Sequence, residues 1–197
     1  MWYLAGLGID ILHFEPFAPF GRGSGFPESE VNPDDYVRGF AEALDVAAEC
    51  GVSVTEFGLF HLQMPRNQQC FAHYASRFVV NPDGRLTFCL GAQDDNTQPG
   101  NMLGVGTPDI DMGTVHFEVD KVRRLQTGFN VEKIEWCNSC SAKHLCCGIC
   151  PAHNILRTGD AGSPDSRLCS IRKGILREAL LQMWKHSAAV EDPMRET

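Results

Sequence analysis

"CNSCSAKHLCCGIC", residues 137–150, sets five cysteines into fourteen positions. Thiols at that density are disulfides, a zinc site or ligands of an iron–sulfur cluster, and the choice governs how the rest of the chain reads. The whole set is Cys50, Cys70, Cys89, Cys137, Cys140, Cys146, Cys147, Cys150 and Cys169. Nine is odd, so any full disulfide scheme leaves one thiol over. The start, "MWYLAGLGIDILHFEPF", is apolar, but it lacks a basic leading segment and carries Asp10 early, so it does not read as a signal peptide. The expected compartment is the reducing cytoplasm, where disulfides are rare. Metal is the better reading.

Bulk properties narrow the partners. With 43% hydrophobic and 21% charged residues, the 197-residue chain reads as an ordinary globular protein with one sizeable core or two small ones. Seventeen Lys and Arg against twenty-five Asp and Glu give a formal charge of −8, which argues against a nucleic-acid partner. The one tight basic group, "KVRR" at 121–124, reads as a solvated helix face. No apolar run approaches the roughly 20 residues needed to span a bilayer, so no membrane partner is expected.

Away from the cysteines, the first 65 residues predict strand, helix and strand. "IDILHF" (9–14) is a buried-strand candidate. Asn32 followed by Pro33 predicts a helix start, and Gly51 its stop. Between them Tyr36, Val37, Phe40, Ala41, Leu44, Ala47 and Ala48 share a face, and "VSVTEFGLF" (52–60) predicts the second strand. Two strands cannot make an independently stable parallel sheet, so this unit reads as the tail of something larger or as docked on the rest. "RFVVNPDGRLTFC" (77–89) predicts a hairpin turned at Pro82 and Gly84. Residues 91–114 read as loop, 115–117 as a short strand and 118–126 as a short helix. A final helix is predicted over about 167–187, with Leu168, Ile171, Ile175, Leu176, Ala179, Leu180 and Met183 apolar.

A structural zinc site wants four Cys or His ligands, commonly as two close pairs. Cys137 and Cys140 make one such pair, and His144 or His153 could contribute. Cys146/Cys150 is a less usual pair, and Cys70, Cys89 and Cys169 stay unexplained. Iron–sulfur clusters gather thiolates from both near and distant positions, and seven or eight thiolates suit two clusters. Cys50, at the end of the first helix, reads as an apolar filler.

The ordered pattern is C-x13-G-x4-C from Cys70 through Gly84 to Cys89, then C-x2-C-x5-C-x3-C from Cys137 to Cys150, then Cys169. It resembles the SPASM domain, the auxiliary-cluster region at the C-terminal end of many radical S-adenosylmethionine enzymes, over residues 70 to about 187. The resemblance implies two 4Fe–4S clusters, the first held by Cys70, Cys89 and Cys150, the second by Cys137, Cys140, Cys146 and Cys169. Some relatives complete the first cluster from the position occupied here by Ser76. Either that iron is open to substrate, or His73 or Cys147 supplies the extra ligand. "CCGIC" makes Cys147 an additional thiol beside a ligand. Leu90 stands where sulfatase-maturing relatives place a proton-accepting Asp, which removes support for that activity.

Residues 8–57 are similar to the last strand–helix stretch of the partial (β/α)6 barrel of these enzymes. The expected fold class is therefore α+β: residues 1–69 form the C-terminal edge of such a barrel, and 70–197 a cysteine-rich SPASM domain with a hairpin and a C-terminal helix. The C-x3-C-x2-C motif that carries the radical-generating cluster does not occur in this sequence. Cys146-x3-Cys150-x2-His153 only approximates it. S-adenosylmethionine is expected only together with a barrel bearing that motif. The resemblance implies a role in peptide or protein modification, with electron transfer or substrate ligation by the auxiliary clusters. Partners would be a peptide or protein substrate and an electron donor such as a flavodoxin or ferredoxin. The alternatives are a stand-alone electron-transfer module or partner subunit, and a zinc-stabilised interaction domain.

Overall fold

The computed structural model describes residues 1–56, 59, 62, 64–68, 78–92 and 98–191. Cys70, His73 and Ser76 lie outside the described residues. The chain is α+β, with a two-stranded parallel sheet, a four-stranded antiparallel sheet and helices packed against both.

The N-terminal segment forms the expected strand–helix–strand unit. After a short helix α1 (Trp2–Gly6), β1 (Ile11–Phe14) and β2 (Ser53–Glu56) pair in parallel, with Ile11 opposite Ser53 and Phe14 opposite Glu56. Between them runs α2 (Pro33–Cys50). The Asn32 side chain accepts from the N–H groups of Asp34 and Asp35, and Gly51 closes the helix at φ +68°. Both ends are thus fixed by local chemistry. Of the expected second strand, only Ser53–Glu56 is strand among the described residues; 57, 58 and 60 lie outside them.

The predicted hairpin joins β3 (Val79–Val80) to β4 (Leu86–Thr87) through a turn in which Asn81 and Arg85 exchange a backbone bond and Gly84 takes φ +85°. Residues 91–114, expected as loop, instead hold α3 (Gln98–Leu103) and β5 (Gly104–Asp109), which pairs with β4 and with β6 (Thr114–Phe117). Gly104, Gly106 and Pro108 disguise β5, yet the strand needs the glycine at 106. A side-chain carbon there would collide with the His116 carbonyl oxygen. Across that bare position the rings of Phe78 and Phe117 meet at 5.9 Å, on a largely exposed apolar face with Val80 and Val115.

Next come α4 (Val119–Gly128), a short α5 (Lys143–Cys146), α6 (Pro151–Thr158) and the long α7 (Ser166–Glu191). The α7 face is buried at Leu168, Ile171, Ile175, Leu176 and Ala179 as expected. Leu180 and Met183, assigned to the same face from sequence, are instead 48% and 59% exposed. One core joins Phe40 of α2 to Cys146, Ile149 and the α7 residues Leu168, Ile171, Ile175 and Leu176. A second gathers Ala92, Leu103, Phe129, Ala152 and Ile155. Among the described residues no helix is long and apolar enough to cross a membrane.

Helices α2 and α7 pack together, and at Gly174 an added side-chain carbon would overlap Val37. Gly174→Ala should therefore destabilise the fold by about 1–3 kcal/mol through overpacking, although alanine is the better helix former. The double variant Gly174→Ala/Val37→Ala should recover part of that loss in urea unfolding, because it removes the colliding methyls.

Candidate metal centre

The cysteine segment is a succession of tight turns. Ile134 to Cys137, Cys137 to Cys140 and Cys140 to Lys143 are each linked by a backbone bond three residues apart, of 2.9, 3.1 and 3.2 Å. Such i→i+3 turns stack every third residue on one side, which is why C-x2-C spacing places two thiols together. Cys146 then donates its N–H to Ala142 at 2.8 Å, ending α5. Three consecutive residues follow with positive φ: Cys147 at 57°, Gly148 at 86° and Ile149 at 68°. A β-branched residue in that region is strained, at a cost of about 1–3 kcal/mol, and such strain gathers at functional sites. Here the turn aims the backbone N–H groups of Ile149 and Gly148 at the Cys146 sulfur.

Cys169, in the first turns of α7, completes the group. A small cavity is lined by Cys137, Cys140, Cys146 and Cys169, with Gly148 at its floor and Trp136, Lys143 and Lys173 around it. Every one of the six pairings among the four thiols is close enough for ionisation of one to disfavour ionisation of the other. Burial, followed by these neighbouring sulfurs, pushes Cys137 up to about 11 and Cys169 up to about 12. Burial also raises Cys146, against the opposing pull of the Arg172 guanidinium and the two backbone N–H groups. Lys173 and Lys143 act in the lowering direction on Cys137. At neutral pH Cys137, Cys146 and Cys169 are therefore thiols. A metal binding as thiolate must displace their protons, and the cationic surroundings offset the charge that results.

These four are the residues that the resemblance implied as the second ligand set, and they line one cavity. They do not crowd onto one point. Among the described residues, no three His, Cys, Asp or Glu side chains converge closely enough to hold a single metal ion. The four thiols line one cavity, and thiolates are ligands that zinc and iron–sulfur clusters both take.

Of the other set, Cys89 and Cys150 both pack against the second core, while Cys70 lies outside the described residues. The Cys89 sulfur accepts from the Gly91 N–H at 3.3 Å, and Cys150 borders both cores. His73 also lies outside the described residues. Cys147 does not line the cavity; its S–H donates to the carbonyls of Arg66 at 3.3 Å and His144 at 3.5 Å. Burial raises it to about 11.

Neither histidine near the cysteines points to the cavity. His144 contacts the Arg66 carbonyl and, at 3.3 Å, Glu132. His153 is buried, with Nε2 3.0 Å from Asp165 Oδ2 and its ring edge-on to Phe20. Burial lowers His153 below the ordinary histidine range despite the attraction of Asp165. Burial would raise Asp165, but the Arg167 N–H, His153 and the Arg167 charge together hold it below the usual carboxylate range. Both groups bind protons more weakly folded than unfolded, so stability rises with pH. The His153 contribution is complete above about pH 6.5 and fades as pH falls through its lowered folded value; that of Asp165 follows below about pH 4. Urea midpoints should therefore fall between pH 7.5 and pH 5.5, and His153→Gln should flatten that slope.

Sequence reasoning missed Trp136, Lys143 and Lys173 as cavity residues. The available signal was periodic: Lys143 lies three residues from both Cys140 and Cys146, and Lys173 one helical turn beyond Cys169. No protein-family model matches the chain, and no curated protein matches it.

Proposed function

We propose that the chain is the auxiliary-cluster region of a radical S-adenosylmethionine enzyme of the SPASM type, acting on a peptide or protein. The observation that carries this reading is the cavity in which Cys137, Cys140, Cys146 and Cys169 meet, with backbone N–H groups aimed at one sulfur and two lysines beside it. A 4Fe–4S cluster bound there would supply one-electron chemistry. The four thiols would hold it, the Gly148 and Ile149 N–H groups would orient Cys146, and Lys143 and Lys173 would balance charge. Cys89 and Cys150, with Cys70, would hold a second cluster by the SPASM-like spacing. A barrel carrying C-x3-C-x2-C, on the same polypeptide or a partner, would bind S-adenosylmethionine. A stand-alone electron-transfer module is the second reading, favoured by the lack of that motif in this sequence.

EPR of the anaerobically reconstituted and reduced protein tests the assignment. Two 4Fe–4S signals are expected, one of which vanishes in Cys169→Ala. A protein that gives no cluster signal, or whose signals all survive that substitution, does not work this way.

A further inference from the structure

Behind the thiol cavity lies a buried ion pair that the ligand set does not explain. Glu56, the last residue of β2, is fully buried and bound to the guanidinium of Arg172, itself 7% exposed, on α7. Taking two charges out of water is costly, and a buried pair seldom repays that cost in stability. Its location is more informative. Arg172 lies three residues beyond Cys169, one turn along the same side of α7, and Lys173 beside it lines the cavity. Its flanking residues Leu168, Ile171 and Ile175 share a core with Cys146. Glu56 and Arg172 thus place a buried charge pair between the parallel sheet and the turn of α7 that carries Cys169.

We propose that Arg172 and Glu56 are positioning residues that set the reduction potential of the group held by Cys137, Cys140, Cys146 and Cys169. This rests on the cluster reading above. Reduction adds one electron, hence negative charge, to a site held by thiolates. A fixed cation one helical turn from Cys169 favours the reduced state, and the carboxylate behind it moderates that effect. The low-dielectric surroundings keep both influences from being screened. Glu56 therefore holds the potential lower than Arg172 alone would. Because Glu56 belongs to β2, the parallel sheet sends its electrostatic influence to the cavity through this contact.

The test is potentiometric titration of the full chain followed by EPR, reading the signal that Cys169→Ala abolishes. Glu56→Gln keeps shape and hydrogen bonding to Arg172 while removing charge, and should raise that potential with iron content unchanged. Arg172→Gln should lower it, and the double variant should return close to the starting value. Should Arg172→Gln fail to fold, Glu56→Gln alone decides. An unchanged potential in Glu56→Gln with full iron content overturns the proposal. Loss of iron from that variant overturns it too, since the pair would then serve only to hold the fold. Absence of iron from the unmodified protein refutes the cluster reading itself, a separate outcome read before any variant is made.

Discussion

Cys146→Ala is expected to cost the protein about half its iron and sulfide, four atoms of each, because it deletes one ligand of one of the two clusters proposed above. It should also sharply lower stability. Cys146 is buried among Phe40, Ile149, Leu168 and Ile171, so truncation leaves a void where a thiolate should anchor the metal. Loss of the proposed metal, which would tie α5 to α7, would remove folding free energy directly, because sites of this kind do not persist in the unfolded chain. Cys147→Ala is the control that gives the result meaning. That neighbour is equally buried, but its thiol is spent on the Arg66 and His144 carbonyls and it does not line the cavity. It should retain full iron and lose only about 1 kcal/mol, the worth of an ordinary hydrogen bond. Iron and sulfide assays with thermal unfolding, run on both variants, separate the two roles.

Arg172→Met should be the most damaging substitution outside the cysteines. It strands the Glu56 carboxylate in the core, and removing one partner of a buried pair costs about 3–5 kcal/mol. Glu56→Met alone strands the guanidinium and should cost a similar amount. The double variant, with two apolar side chains of suitable volume, should recover most of the stability, because nothing charged is left to desolvate. A double-mutant cycle by urea unfolding measures this directly. Additive losses would mean that the two side chains do not act as a pair.

The elements that sequence reading placed well are those whose ends are fixed by local chemistry. Asn32, Pro33 and Gly51 bound α2, and Gly84 turns the hairpin, without help from distant residues. β5 was not legible, because the glycines that signal a loop in isolation are what allow its backbone to approach β6. Helix α6 was not assigned from the sequence, although Pro151 occupies its first position, where a missing N–H costs nothing. For the candidate site, the resemblance to SPASM implied the grouping of Cys137, Cys140, Cys146 and Cys169, and the four line one cavity. Arg172 and Glu56 carried no such signal. They stand 116 positions apart, and only the packing of α7 against the strand–helix–strand unit makes them neighbours.

The most direct test of the account is the metal content of the chain after anaerobic reconstitution, read as iron, acid-labile sulfide and zinc per polypeptide. The account predicts about eight irons and eight sulfides with no zinc. One zinc per chain, with neither iron nor sulfide, would contradict it and leave a structural zinc domain.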